Sequence, residues 1–147
     1  MSVRYYFLFL LPVLLIAQIP DEKVAACVTR YFEWNRLAPE LISADLFVHP
    51  EIGYVLKLKI KGRRTQHVAD LIYGFRAGAA VANCARSNIR LLWIELDVPY
   101  KEIETTIATA EADCSIAAFI NESIGYEVWW IECLSVYPSG IANARNP

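Results

Sequence analysis

The sequence predicts a small single domain of the α+β class with a mainly antiparallel sheet. Residues 53–61 and 89–98 alternate apolar and polar side chains with a period of two, which is typical of half-buried strands. Between them, residues 64–88 place apolar side chains at helical spacing. Because the strands come in pairs separated by helices, the order favours an antiparallel sheet with its helices on one face.

The elements follow in order from the first helix. Pro20 and the acids after it suit the first turn of a helix, and Pro39 ends that helix. Residues 99–101 form a turn, and the β-branched residues at 105–107 favour a returning strand. The predicted order is helix, strand, strand, helix, strand, strand, helix, strand, over residues 20–38, 42–49, 53–61, 64–88, 89–98, 102–109, 112–123 and 127–137.

The second helix carries a run of small residues, which are Gly74, Ala77, Gly78, Ala79 and Ala80. Side chains of this size allow a helix backbone to approach a sheet closely. We therefore expect this helix to pack directly on the strands.

Length and composition restrict the class of protein. The chain has 147 residues, 56% of them hydrophobic and 20% charged, which excludes a disordered chain and allows one domain. The formal net charge is −2 and the pI is near 5.7, so no global basic field exists to hold nucleic acid. We expect no nucleic-acid partner.

The N-terminus resembles the layout of a secretory signal. Arg4 precedes a thirteen-residue apolar run, residues 5–17, which as a helix reaches only about 20 Å. The hydrocarbon core of a bilayer is about 30 Å thick, so a signal peptide fits better than a spanning helix. An uncleaved anchor that contacts the membrane and an ordinary buried segment are the alternatives. We assign residues 1–19 to this segment, residues 20–138 to the domain and residues 139–147 to a frayed tail.

The position of cleavage stays open. A cut after Ala17 leaves bulky Leu15 where a small residue is preferred, and a cut after Ala26 has three charges beside it. The sequence before Cys27 also resembles a lipoprotein motif, although those charges separate it from the apolar run.

Four cysteines, Cys27, Cys84, Cys114 and Cys133, allow two disulfides in three pairings in an exported domain. No two of them lie within four residues of each other, so the CxxC spacing of zinc and redox sites does not occur. We expect at least one disulfide and leave its partners open.

Few residues are candidates for chemistry, and none is assigned a catalytic, cofactor-binding or metal-binding role. The chain has no GxGxxG, GxxxxGK[ST] or GxSxG motif. His67 and Asp70 share a helix face and offer half a metal site at most. Cys84 lies roughly 25 Å along the helix from His67, so these two residues cannot form a nucleophile and its base. His49 ends a strand before a proline, where a turn or surface position is the common outcome.

Acids and aromatic residues supply the remaining candidates. Glu95 and Asp97 point to the same side of one strand and lie about 7 Å apart. They are either a carboxylate pair for acid–base catalysis or part of a solvated outer face. Glu132 falls within an apolar strand, and burial there would raise its pKa. Three tryptophans have two interpretations. They form either an aromatic platform for a sugar or peptide or ordinary core packing, and they are Trp93, Trp129 and Trp130.

Charge is distributed unevenly along the chain. Residues 53–90 contain eight Lys or Arg and one acid, whereas residues 91–132 contain nine acids and one base. This pattern indicates either a basic patch for an anionic partner or mutual neutralisation within one sheet. We expect the second, with the strands 53–61 and 89–98 as neighbours and Lys57, Lys59 and Lys61 facing Glu95 and Asp97. The long helix between these two strands allows a parallel crossover, although another strand between them is also possible.

These observations favour a non-catalytic module that is secreted or anchored at the cell envelope and binds a protein or a small molecule. One alternative is a small hydrolase-type enzyme whose site combines dispersed acids with His49. Another is a structural subunit of an envelope assembly.

Overall fold

The structure, a computed structural model, describes residues 18–137. Residues 1–17 of the predicted leader, which spans 1–19, and the predicted tail at 139–147 lie outside these residues. The elements are α1 (Asp21–Glu33), β1 (Glu40–His49), β2 (Gly53–Lys61), α2 (His67–Cys84), β3 (Ile89–Pro99), β4 (Ile103–Glu111), α3 (Ala112–Phe119), α4 (Tyr126–Val128), a π-helical turn (Trp129–Cys133) and β5 (Leu134–Tyr137).

The five strands form one sheet in the order β1-β2-β3-β4-β5, which confirms an α+β domain. The prediction of a mainly antiparallel sheet is wrong, because the sheet is mixed. The central pair β2–β3 is parallel, and the other three pairs are antiparallel. The parallel pairing requires a crossover. The 18-residue helix α2 provides it by returning the chain to the end of the sheet at which β2 begins.

The hydrophobic core lies on the face of the sheet that the helices cover. The alternate apolar residues of β2 and β3 enter this core, and those from Leu56 to Ile60 and from Leu92 to Val98 are at most 5% exposed. From the helices come Val24, Val28, Phe75 and Trp129, each fully buried. The other face, which we call the open face, carries the charged positions of β2 and β3.

Glycine allows close packing at one position and an unusual backbone at another. A Cβ on Gly74 would lie 2.6 Å from Ile60 Cδ1, so α2 rests directly on β2 as its small residues predict. Gly53, the first residue of β2 after the turn at 50–52, has a φ of 98°, which L side chains rarely adopt.

The prediction of a long last strand over 127–137 is wrong. Residues 126–133 are helical, and β5 contains only four residues. The valine and tryptophan content suggested a strand, but the helical path buries Trp129 completely while Trp130 remains 37% exposed. Tertiary packing of Trp129 therefore overrides the local β propensity.

The start of the described chain is joined to the end of α2. The Ile19 N–H donates to Cys84 O at 2.8 Å, and Ile19 O accepts from the Arg86 N–H at 2.8 Å. A cut after Ala26 would remove Val24, which the core buries completely. Within residues 18–137, no helix is both long and apolar enough to cross a membrane.

Candidate functional site

A disulfide holds the C-terminal part of the domain. Cys114 in α3 is bonded to Cys133 at the end of the π-helical turn, across 19 positions of sequence, with a Cα–Cα distance of 6.3 Å. This bond confirms the expected disulfide and identifies its partners. Cys27, half-buried in α1, and Cys84, exposed at the end of α2, are free thiols. A disulfide of this kind is typical of an oxidising, extracellular environment.

Trp129 anchors the same turn in the core. Its indole Nε1–H donates to the Oγ of buried Ser115 at 3.0 Å. Its ring makes edge contacts with Phe75 and Phe119, with centroids 5.2 and 4.8 Å away. The hydrogen bond satisfies a buried donor, and the two aromatic contacts fix the orientation of the ring. The turn is therefore attached to α3 by both a covalent bond and a buried side chain.

The outer side of this turn presents apolar side chains to solvent. Tyr126, Trp130 and Ile131 are 45%, 37% and 78% exposed, and the rings of Tyr126 and Trp130 lie 5.9 Å apart. Together with Glu127 they line a shallow groove of about 220 Å³. We call these four residues the aromatic surface.

The chain segment that carries the aromatic surface is acidic in sequence. Residues 102–137 contain seven acids and no Lys, Arg or His. Glu127 lines the groove itself, and Glu122 and Glu132 are exposed nearby in sequence. This segment therefore carries only negative formal charge, with Glu127 in the groove itself.

The predicted pairing of basic and acidic strands is confirmed on the open face. Lys57 Nζ lies 2.7 Å from Glu95 Oε1, and Lys59 Nζ lies 3.5 Å from Asp97 Oδ2. Lys61 Nζ is 3.6 Å from Glu40 Oε2 of β1. Because each lysine of β2 has an acidic partner, this strand is not an uncompensated basic patch.

The three tryptophans do not form a common platform. Trp129 belongs to the core, Trp130 belongs to the aromatic surface, and Trp93 lies on the open face. Lys57 Nζ sits 5.3 Å from the centre of the Trp93 ring, and Trp93 Nε1 is buried without a hydrogen-bond partner among residues 18–137.

The structure does not bring the candidate acids and His49 together. His49 is opposite Gly53 at the turn end of β1, level with the start of β3. Glu95 is about six residues further along β3, which corresponds to roughly 20 Å. Glu132 lies in the π-helical turn, so its predicted position in a strand is wrong. Its side chain, whose burial the sequence leaves open, is exposed.

Asp70, which was a candidate metal ligand, binds Arg63. Its buried carboxylate accepts the Arg63 backbone N–H at 2.7 Å and forms an ion pair with the Arg63 guanidinium. The hydrogen bonds that the guanidinium donates to Asp70 raise the pKa of Arg63. His67 is exposed and its Nδ1 lies 3.2 Å from Arg64 O. Within the described part of the chain, no three His, Cys, Asp or Glu side chains are placed to hold a metal ion.

Sequence reasoning missed Tyr126 and Ile131. Their exposure depends on the helical path of residues 126–133, and a strand would have placed them differently. Gly125 before Tyr126 is a sequence signal that favours a helix here, because glycine is accepted at helix N-caps.

Comparison with protein-family models, with curated proteins and with solved structures found no match.

Proposed function

We propose that this protein is a non-catalytic binding module, secreted or anchored at the cell envelope, and that the aromatic surface binds a protein partner. The observation that carries the proposal is the exposure of Tyr126, Trp130 and Ile131 on a turn held by the Cys114–Cys133 bond.

Rigid presentation of apolar groups supports a binding role. Aromatic side chains contribute strongly to protein interfaces, and a turn that is already ordered loses little conformational entropy on binding. The buried Trp129 and the disulfide provide that order. The acidic segment that carries this surface favours a partner that is basic as well as apolar.

Export is supported by two independent features. The first is the signal-like layout of residues 1–17, and the second is the disulfide, since disulfides persist mainly in oxidising compartments. An uncleaved leader would leave the module anchored, with the aromatic surface available to neighbouring envelope proteins.

The enzyme alternative has less support than the binding module. Its proposed groups lie apart, and Glu95 is engaged by Lys57 at 2.7 Å. A general acid or base must lie within hydrogen-bond reach of a substrate beside its catalytic partner, and these residues offer no common position for one.

The partner can be tested by photo-crosslinking in the native envelope fraction. A photoreactive phenylalanine analogue replaces Ile131, and the matched control carries it at Ile103, which is 70% exposed on β4. We expect a discrete adduct from position 131 that Trp130→Ala weakens, and none from position 103. No adduct at 131, or the same adducts from both positions, would exclude the aromatic surface as the binding site.

Export can be tested by mass spectrometry of the intact chain from cytosolic, membrane and secreted fractions, before and after reduction. We expect the oxidised chain in the membrane or secreted fraction. A reduced chain confined to the cytosol would contradict the proposal.

A further inference from the structure

β1 is an edge strand with a long free edge. It contains ten residues, pairs with β2 on one side, and has no partner among residues 18–137 on the other. An edge of this kind exposes unpaired N–H and C=O groups, which can pair with another strand. The opposite edge strand, β5, has only four residues.

The free edge of β1 has little protection against pairing. Its bulge lies near its start, between Leu41 and Ser43, so residues 43–49 pair with β2 without interruption. No lysine or proline lies within the strand. Phe47 and Val48 are 37% and 62% exposed, on opposite faces of the sheet.

We propose that two copies of this protein pair through β1 in antiparallel orientation, about a two-fold axis at Phe47. The two sheets then form one continuous ten-stranded sheet. This assignment concerns a different surface from the aromatic surface and does not depend on it.

Side-chain chemistry favours this register, because it alone places Asp45 opposite His49. Residues that are opposite each other across an antiparallel pair must point to the same face of the sheet. The two-fold axis must therefore lie between the two copies of one residue, because opposed positions then differ by an even number. An axis at Asp45 would place two carboxylates opposite each other, which is destabilising. An axis at Phe47 places Asp45 opposite His49 of the second copy, Leu46 opposite Val48, and Phe47 opposite itself.

Asp45 and His49 suit each other as a pair between copies. His49 Nδ1 accepts the Glu51 backbone N–H at 3.2 Å, so Nε2 carries the ring proton and can donate to a carboxylate. Within residues 18–137, no cation lies at ion-pair distance from Asp45. The two-fold axis forms this contact twice.

Sedimentation of the full chain in its oxidised form, as a function of concentration, tests the dimer. Val48→Lys blocks the edge, and Ile103→Lys is the matched control at a 70% exposed position on β4. We expect Val48→Lys to raise the dissociation constant about tenfold or more and Ile103→Lys to leave it unchanged. Circular dichroism and the unfolding midpoint verify that both variants are folded. A chain that is monomeric up to millimolar concentration, or a dimer that Val48→Lys does not weaken, overturns the proposal.

Two further variants test the register. His49→Asp faces Asp45 of the second copy and weakens the dimer, whereas His49→Lys retains it. In a Cys84→Ser background, mild oxidation crosslinks Phe47→Cys into a covalent dimer. Ser43→Cys does not crosslink, because its two copies are separated by eight positions, or roughly 25 Å. Efficient crosslinking at position 43, or equal effects of the two His49 variants, overturns this register.

Discussion

The ammonium of Lys57 lies 2.7 Å from the carboxylate of Glu95, although the residue directly opposite Lys57 in the parallel register is Trp93. Lys59 is displaced in the same direction and meets Asp97 rather than the opposite residue, Glu95. Each lysine therefore reaches one same-face position further along β3. In this arrangement the ammonium of Lys57 contacts both the carboxylate and the face of the Trp93 ring.

This contact predicts coupling between positions 57 and 95. Lys57→Glu and Glu95→Lys each place like charges together, so each should lower the free energy of unfolding by about 0.5–1 kcal/mol. The double variant restores opposite charges and should recover part of the loss. Chemical denaturation at low and high salt measures the coupling, which should shrink as salt increases. Additive effects without salt dependence would show that the two charges do not interact.

The sequence predicted those parts of the fold in which one local pattern decides the outcome. Alternation of apolar and charged residues in β2 and β3 was sufficient to identify both strands and the face on which their charges meet. Alternation indicates a face and not a direction, so it did not require the parallel pairing of β2 and β3. The long helix between them allowed that pairing without excluding an intervening strand.

The candidate site was less accessible to sequence reasoning. Trp129 and Trp130 are both apolar and adjacent, so a strand and a helix explain them equally well locally. Only the contacts of Trp129 with Phe75 and Phe119, distant in sequence, decide for the helix. The pairing of Cys114 with Cys133 likewise depends on distances in space that cysteine spacing does not reveal.

A second prediction concerns the close contact of α2 with the sheet. Gly74→Ala places a Cβ 2.6 Å from Ile60 Cδ1, and the resulting repulsion should exceed the gain in helix propensity, with a net loss of about 1–3 kcal/mol. Gly125→Ala is the matched control, because nothing lies within 4 Å of its added Cβ and its φ of −71° suits alanine. Thermal unfolding compares the two. Equal stability would mean that α2 does not rest on β2 at Gly74.

Tyr73 should make the domain sensitive to alkaline pH. Burial raises the pKa of Tyr73, whose hydroxyl donates to Tyr31 O at 3.1 Å. Because the folded pKa is above the unfolded one, the stabilising contribution is complete below the ordinary tyrosine pKa and is lost as the pH rises through the raised value. Tyr73→Phe should therefore flatten the fall in stability above pH 10. Ultraviolet titration of phenol ionisation in both proteins checks the assignment.

The ion pair between Arg63 and Asp70 predicts a large difference between neighbouring arginines. Arg63→Ala leaves the buried Asp70 carboxylate without its guanidinium partner and also removes the hydrogen bond from Nη2 to Leu37 O, 3.1 Å long. Arg64→Ala removes only an exposed contact with the Tyr100 ring. We expect Arg63→Ala to lower the unfolding midpoint strongly and Arg64→Ala to change it little. Similar midpoints for the two variants would contradict the structural role of Asp70.

The disulfide should stabilise the domain and the aromatic surface together. It closes a loop across 19 sequence positions, and loops of this size correspond to about 3 kcal/mol of stabilisation in the chain-entropy model. Cys133→Ser should lower the free energy of unfolding by about 2–4 kcal/mol, whereas Cys84→Ser, at an exposed free thiol, should change it little. Since Trp130 lies in the turn that the bond holds, its fluorescence should become more accessible to a soluble quencher in Cys133→Ser only. Thiol labelling of the unfolded, unreduced chain should modify two cysteines, and all four after reduction. Four labels without reduction would show that Cys114 and Cys133 are not bonded in the cell.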